Sequence, residues 1–193
     1  GPWMTRRTKS EVLTQLPAKL YNTVFAEMSP AEVLEYRRIK DNFLDWLKEK
    51  GDSPNAANAL TQLLRPQQFT CSPQLLESPT IGCKFDLLKE TIDGWEGRVM
   101  VFTRFAEMAK LLLEWLDCHK AALIAGEVKA ELRVNRVEAF NNGEIGKVLI
   151  STDAGAYGLN VTGADLIIHY DSLWNPGKMW QREDRLHRIG QTK

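Results

Sequence analysis

From residue 98 onward, short apolar runs alternate with segments whose apolar positions recur every three or four residues. The runs Arg98–Phe102, Ala121–Ile124, Lys147–Ser151 and Asp165–Tyr170 predict buried strands. Helical periodicity covers Lys84–Ile92, closed by Asp93-Gly94, then Phe105–Leu116, Val128–Phe140 and a final Met179–His187. In the second of these, Phe105, Met108, Leu112 and Trp115 make the apolar stripe. Strands alternating with helices at this spacing predict an α/β domain. Its parallel sheet carries helices on both faces, joined by right-handed crossovers. Ligands of such sheets lie beyond the carboxyl ends of the strands. Thr103, Gly126, Ser151, Thr152 and Asp171 all fall there, which predicts one shared rim.

Upstream the pattern is less regular. Leu20-Tyr-Asn-Thr-Val-Phe25 reads as a strand. Ser29-Pro30-Ala31-Glu32 is a helix start, a capping box with proline at the first helical position. The helix it opens carries Tyr36, Ile39, Phe43, Trp46 and Leu47 on one stripe, with Gly51 as its stop. Asp52–Asn55 reads as a turn and Ala56–Leu64 as a short helix halted before Pro66. Gln67–Ile81 is polar and proline-punctuated, and predicts an irregular connection.

Composition changes this picture little. The chain has 193 residues, 44% apolar and 26% charged, which suits one soluble domain with a small appendage. A formal net charge of zero advertises no nucleic-acid partner, so any basic surface must be local. From Pro176 to Lys193 the cations Lys178, Arg182, Arg185, Arg188 and Lys193 face only Glu183 and Asp184. A second cluster, Arg6, Arg7 and Lys9, lies near the start, after Gly1-Pro2, which reads as a tag-removal scar. Taken by charge alone, both clusters are solvated surface. Cys71, Cys83 and Cys118 are odd in number and unsuited to metal pairs, which predicts reduced thiols and no metal site on this chain. No apolar run approaches membrane-spanning length, so no membrane partner is expected.

Two stretches carry candidate chemistry. In Ser151-Thr-Asp-Ala-Gly-Ala-Tyr-Gly-Leu-Asn160, a strand ends in two hydroxyl residues, and Gly155 and Gly158 permit close approach of a ligand or unusual backbone angles. Taken alone, an ordinary strand-to-loop turn accounts for it equally. In Gln181-Arg-Glu-Asp-Arg-Leu-His-Arg-Ile-Gly-Gln191, a helix would set Arg185 and Arg188 on one face, with Gln181 a turn earlier. Two guanidiniums so placed suit a phosphate group, and the arginine-finger role in phosphoryl transfer. An arginine-rich solvated helix face is the plainer reading of the same run. No G-x-x-x-x-G-K-[ST] phosphate loop occurs in these residues.

The specific residues go further. Gln181-x-x-Asp-Arg-Leu-His-Arg-Ile-Gly-Gln191 resembles motif VI of the Swi/Snf-type DNA translocases of helicase superfamily two, and Ser151-Thr-x-Ala-Gly-x-x-Gly-Leu-Asn160 resembles their motif V. His169-Tyr-Asp-x-x-Trp-Asn-Pro176 is similar to the segment between them, and Val99–Phe105 to motif IV. Gly126 with Arg133 and Phe140-Asn141 matches the next block. Arg6-Arg-Thr-Lys9 and Leu16-Pro17-x-Lys19 resemble the junction between the family's two RecA-like lobes, and Leu60–Leu63 through Ser72–Leu76 the helical segment after it. The resemblance runs in order from about Met4 to Lys193.

That resemblance implies an inter-lobe linker over 3–19 and the second RecA-like lobe over 20–193, with a helical segment at 29–82 and the motif-bearing core at 83–193. ATP with Mg would lie between this lobe and the N-terminal RecA-like lobe, which would hold the phosphate loop and the metal ligands. Arg185 and Arg188 would be the fingers, Gln181 would face the nucleotide, and Gly155 and Gly158 would couple nucleotide to DNA. Thr103, Gly126, Ser151 and Thr152, with Trp174, would contact the backbone of double-stranded DNA. Arg133 would anchor its helix against a neighbouring loop, while His169 and His187 would pack or hydrogen-bond. Ala156 stands where the family usually has glycine, and Asp153 and Glu127 would weaken grip on phosphates. This fragment alone would not hydrolyse ATP. Its setting would be the cytoplasm of a bacterial, archaeal or viral host cell, or a eukaryotic nucleus. An RNA-directed helicase lobe and a non-catalytic adaptor are the alternatives.

Overall fold

A computed structural model describes residues 18–50, 56–154, 158–173 and 175–187. Its centre is a four-stranded parallel sheet of β1 (Val99–Phe102), β2 (Ala122–Ile124), β3 (Val148–Ser151) and β4 (Leu166–His169), in the order β2-β3-β1-β4. Val99 stands opposite both Val148 and Leu166, and Phe102 opposite both Ser151 and His169. Because all four strands run the same way, their carboxyl ends share one edge.

Apart from Ser151 and His169 at the ends of β3 and β4, the strands are apolar because both sheet faces are covered. Alternate residues supply two cores. Val99, Val101, Val148 and Ile150 pack with Leu88 and Ile92 of α3 (Cys83–Gly94) and with Met108, Ala109 and Leu112 of α4 (Ala106–Trp115). Met100, Phe102, Ile124 and Leu149 pack on the other face with Val137 and Phe140 of α5 (Ala130–Asn142), and with Val161, Ala164 and Leu186. The doubly covered α/β sheet expected from the alternation is therefore present.

Two further helices precede α3. In α1 (Pro30–Lys50) the capping box forms as the residues predict: Ser29 N–H donates to Glu32 Oε2 at 2.8 Å, and Glu32 N–H donates to Ser29 Oγ at 3.3 Å. Glu32 Oε1 also accepts from Cys83 N–H at 3.0 Å, so one buried carboxylate ties the start of α1 to the start of α3. Burial opposes its ionisation, but the bonds from Ser29 and Cys83 outweigh that and hold its pKa below the ordinary value.

Three expectations need correction. Residues 20–25 form no strand; Leu20 is 96% exposed, and an apolar run without a neighbouring strand has no ladder to complete. The second helix does not stop before Pro66, because α2 spans Ala56–Cys71 with the proline inside. Tertiary packing beyond the proline compensates for the missing N–H: Phe69 and Cys71 are buried, and the Phe69 ring lies 6.1 Å from Tyr36 of α1. The stretch after it is also more ordered than its polarity suggests. Pro73–Leu76 forms a 3-10 turn capped by Ser72, whose Oγ accepts from Gln74 N–H and donates to Ile81 O at 2.7 Å.

The cysteines give a chemical check on this packing. Burial, with the Asp171 charge behind it, pushes the Cys71 thiol up to about 12, whereas Cys118 is exposed. A thiol reagent at neutral pH is expected to label Cys118 rapidly and Cys71 only on unfolding, as read by mass spectrometry. Early labelling of Cys71 would contradict the seating of α2. No helix among the described residues is long and apolar enough to cross a membrane.

Candidate functional site

The strand ends build the expected rim. Thr103 directly follows β1, Gly126 lies two residues beyond β2, Thr152 follows β3, and Asp171 lies two residues beyond β4. Thr103 Oγ1 donates to Asp171 Oδ2 at 2.6 Å, and Arg104 N–H donates to the same oxygen at 2.7 Å. Thr103 N–H donates to Ser151 O at 3.0 Å, and Thr152 N–H to Ile124 O at 3.3 Å. These bonds lace β1, β2, β3 and β4 together at one edge. They also enclose the hydroxyl residues: Thr103, Ser151 and Thr152 are all buried, with Ser151 Oγ donating to Thr152 O at 2.9 Å. Gly126 is exposed, and a Cβ there would meet Ala154 Cβ at 3.1 Å. Gly158, also exposed, has φ +75°, which favours glycine. Gly155, Ala156, Trp174 and Arg188 lie outside the described residues.

Asn175 and Pro176 start the last helix, α6 (Pro176–Glu183), with Asn175 Oδ1 accepting from Gly177 N–H at 2.9 Å. Gln181 is exposed on it. The helix is earlier and shorter than Met179–His187, so Arg185 sits in the turn that follows and not on a helical face. Arg185 N–H donates to Arg182 O at 3.1 Å, while Arg185 O accepts from Val161 N–H at 3.2 Å. Its neighbour Leu186 is buried in the core beside Met100 and Phe140. The half-buried Arg185 is thus carried by a turn anchored on both sides.

Between rim and turn lies a buried charge cluster that sequence reasoning missed. Arg182 is 3% exposed, donates from Nε to Asp153 Oδ1 at 2.6 Å, and places Nη2 3.7 Å from Asp171 Oδ1. Its guanidinium lies 5.3 Å from the Phe102 ring centroid. The next residue, Glu183, accepts from Lys19 Nζ at 3.0 Å and Tyr21 Oη at 2.8 Å, which pins residues 19–21 against α6. Asp153 therefore does not stand as an uncompensated acid near phosphates, because Arg182 neutralises it. Glu127 is met by Lys110 at 3.2 Å across solvent. Arg133 donates to Ala154 O at 3.1 Å, the anchoring role expected of it. In sequence, the one available signal was an acid at 153 among hydroxyls and glycines; nothing paired it with Arg182.

His169 also belongs to this cluster. It stacks on Phe102 at 6.1 Å, with Nε2 3.7 Å from Glu183 Oε1. Burial first, and the Arg182 charge second, hold its pKa below 6.5. The unfolded chain takes up a proton there near its ordinary value, and the fold does so only at lower pH. The stability this residue contributes is therefore complete above roughly pH 6.5 and is lost as pH falls below it. Thermal melts between about pH 7.5 and 5.5 are expected to show a falling Tm, and His169→Gln to flatten the fall. An unchanged slope in the variant would contradict the buried neutral imidazole.

Among the described residues, no group of three or more His, Cys, Asp or Glu is arranged to hold a metal ion. A cavity of about 140 Å³, lined by Gln67, Lys84, Arg104 and Asp171 among others, lies behind the rim. It falls below the ~300–1,000 Å³ of small-molecule sites.

Comparison with known proteins gives the same outline. The family profile described as helicase conserved C-terminal domain matches residues 83–190. The chain is 31% identical over 207 residues to the chromodomain-helicase-DNA-binding protein 1-like of Mus musculus, covering all of this chain and 23% of that protein. The Sulfolobus solfataricus SWI2/SNF2 ATPase core in complex with dsDNA superposes with a TM-score of 0.72 at 27% identity, covering all of this chain and 43% of that one. The C-terminal part of the Fun30 ATPase domain shares the fold, with a TM-score of 0.73 at 18% identity over 93% of this chain and 83% of that one.

Proposed function

We propose, from the premise that this chain belongs to the helicase conserved C-terminal domain family as the second RecA-like lobe of a Swi/Snf-type ATPase, that it is half of a motor moving along double-stranded DNA. The observation that carries this reading is the joining of two surfaces in one lobe. At the rim, Thr103 donates to Asp171, whose other carboxylate oxygen lies 3.7 Å from Arg182 Nη2, and the Arg182 carbonyl accepts from Arg185 N–H in the turn. The mouse relative's name and the archaeal core's bound duplex both favour DNA as the track.

In this account ATP supplies the free energy and binds mainly on the N-terminal lobe, with Mg held by that lobe's ligands. Gln181 faces the nucleotide. Arg185, with Arg188 beyond it, approaches the phosphates and stabilises charge that builds during phosphoryl transfer. At the rim, exposed Gly126 lets a DNA strand approach the backbone closely. Thr103, Ser151 and Thr152 hold the strand ends in the shape that meets the sugar-phosphate chain, and Trp174 is assigned a contact with the same chain. Such contacts carry no base sequence, as a motor that steps along any duplex requires. Gly155 and Gly158 let the loop after β3 follow the nucleotide state. Isolated from its partner lobe, this chain is expected to hydrolyse no ATP.

ATP turnover by the two-lobed protein, measured with and without nucleic acid, tests the proposal. Duplex DNAs of unrelated sequence are expected to stimulate equally, with stimulation falling steeply as salt rises. Stimulation by RNA in preference to duplex DNA would assign an RNA helicase lobe. Turnover indifferent to any nucleic acid would leave an adaptor with the fold of a motor.

A further inference from the structure

We propose that Arg182 is a positioning residue that couples the DNA-facing loop after β3 to the turn carrying Arg185, with Asp153 and Asp171 as its partners. The proposal rests on the motor reading above. A guanidinium 3% exposed is costly to bury unless it is paired. This one is paired with two different elements. Its Nε binds Asp153, the second residue after β3, and Nη2 faces Asp171, the second residue after β4, which holds Thr103 and Arg104. Its own carbonyl accepts from Arg185 N–H. One side chain therefore reports the position of both strand ends directly to the finger turn.

The pairing is also incomplete. Nη1 and Nη2 of Arg182 and Oδ1 of Asp171 are buried with no hydrogen-bond partner among the described residues, and Nη2 and Oδ1 lie 3.7 Å apart. A shift of under about 1 Å would close that gap to a charge-assisted bond of ~2.7–2.9 Å. Buried unsatisfied groups are rare, and a facing pair of them is a bond waiting for a movement. Movement of the loop that holds Asp153, when DNA is gripped, shifts the guanidinium towards Asp171 and α6 with it. The Arg185 turn follows, because its amide hangs on Arg182 and its carbonyl on Val161 of the same loop. The other groups facing the cluster are His169, Glu183 and Lys19, which fix the far side of α6.

The two-lobed protein tests this with Arg182→Met, Arg182→Lys and Asp153→Asn. For Arg182→Met we expect DNA-stimulated kcat to fall roughly tenfold, with KM for ATP changed by less than about twofold and the ratio of stimulated to DNA-free turnover reduced. Arg182→Lys, with charge but no fork to span two carboxylates, recovers only part. Asp153→Asn shifts the ratio in the same direction. Its partly exposed side chain makes it the variant that folds if Arg182→Met does not. Adding Asp153→Asn to Arg182→Met has little further effect, since the two act through one link. Parallel loss of both turnover rates, or additive effects, would overturn the proposal. Hydrogen exchange reads the coupling without catalysis: Arg182→Met is expected to accelerate exchange in both 152–162 and 183–187. Acceleration confined to α6 would refute the link. Wild-type protein without DNA stimulation would sink the motor reading, and exchange alone would then decide the coupling.

Discussion

Replacing Arg185 by alanine lowers DNA-stimulated ATP turnover in the two-lobed protein by about 10³-fold or more, the scale on which arginine fingers act in phosphoryl transfer. The loss falls on kcat, because the cation is needed most where phosphate charge is building and less when substrate is merely bound. Folding survives the change. The turn is held by the buried Leu186 side chain and by the main chain of Arg185, and alanine keeps both. A Tm within a few degrees of wild type alongside the collapse in kcat is therefore the expected pair of results. Arg185→Lys restores little, since an ammonium offers a point charge in place of a planar fork. A turnover reduced less than tenfold would mean that Arg185 is a surface cation of the turn and that the finger lies elsewhere.

Asp171→Ala has the largest expected effect on stability. Asp171 Oδ2 accepts two bonds, from Thr103 Oγ1 and Arg104 N–H, and Oδ1 faces the buried Arg182. Removing the carboxylate leaves a hydroxyl, an amide and part of a guanidinium charge without compensation inside the protein. Breaking a buried ion pair from one side costs about 3–5 kcal/mol, and at ~2–4 °C per kcal/mol for a domain of this size Tm falls by roughly 10 °C. Asp171→Asn is expected to lose less, because its amide oxygen still accepts from Thr103 or Arg104 while only the charge facing Arg182 is gone. Thermal melts of the three proteins check the order. An alanine variant as stable as wild type would show that the rim is held by its strands alone.

Much of this architecture was legible in the chain. Val99–Phe102 is apolar at every position and Val148–Ser151 at all but its last, a pattern that suits a sheet covered on both faces, and the intervening periodicity placed α4 and α5 within a few residues of their observed bounds. The rim followed from parallel strands. Where reading failed, the cause was a contact distant in sequence. Pro66 is a local helix breaker, overruled by Phe69 packing on Tyr36. Leu20–Phe25 has strand-like composition, yet no strand edge meets it and Tyr21 reaches Glu183 instead. Arg182 looked like solvated helix surface. Its burial depends on Asp153 and Asp171, brought beside it only by the fold, and no helical period announces such a pairing.

The central claim, that the carboxyl-end rim faces the DNA backbone, is tested most directly by cleavage from the protein's own surface. An iron chelate tethered at Lys129→Cys, beside Gly126, would report what lies at the rim, and one at Glu96→Cys would report the opposite edge of the sheet. Cys83 and Cys118 are replaced in both variants, so that the tether has one address. With duplex DNA bound, hydroxyl radicals from position 129 are expected to cut the duplex strongly and irrespective of base sequence, and those from position 96 only weakly. Equal cutting from the two edges, or stronger cutting from position 96, would contradict the account.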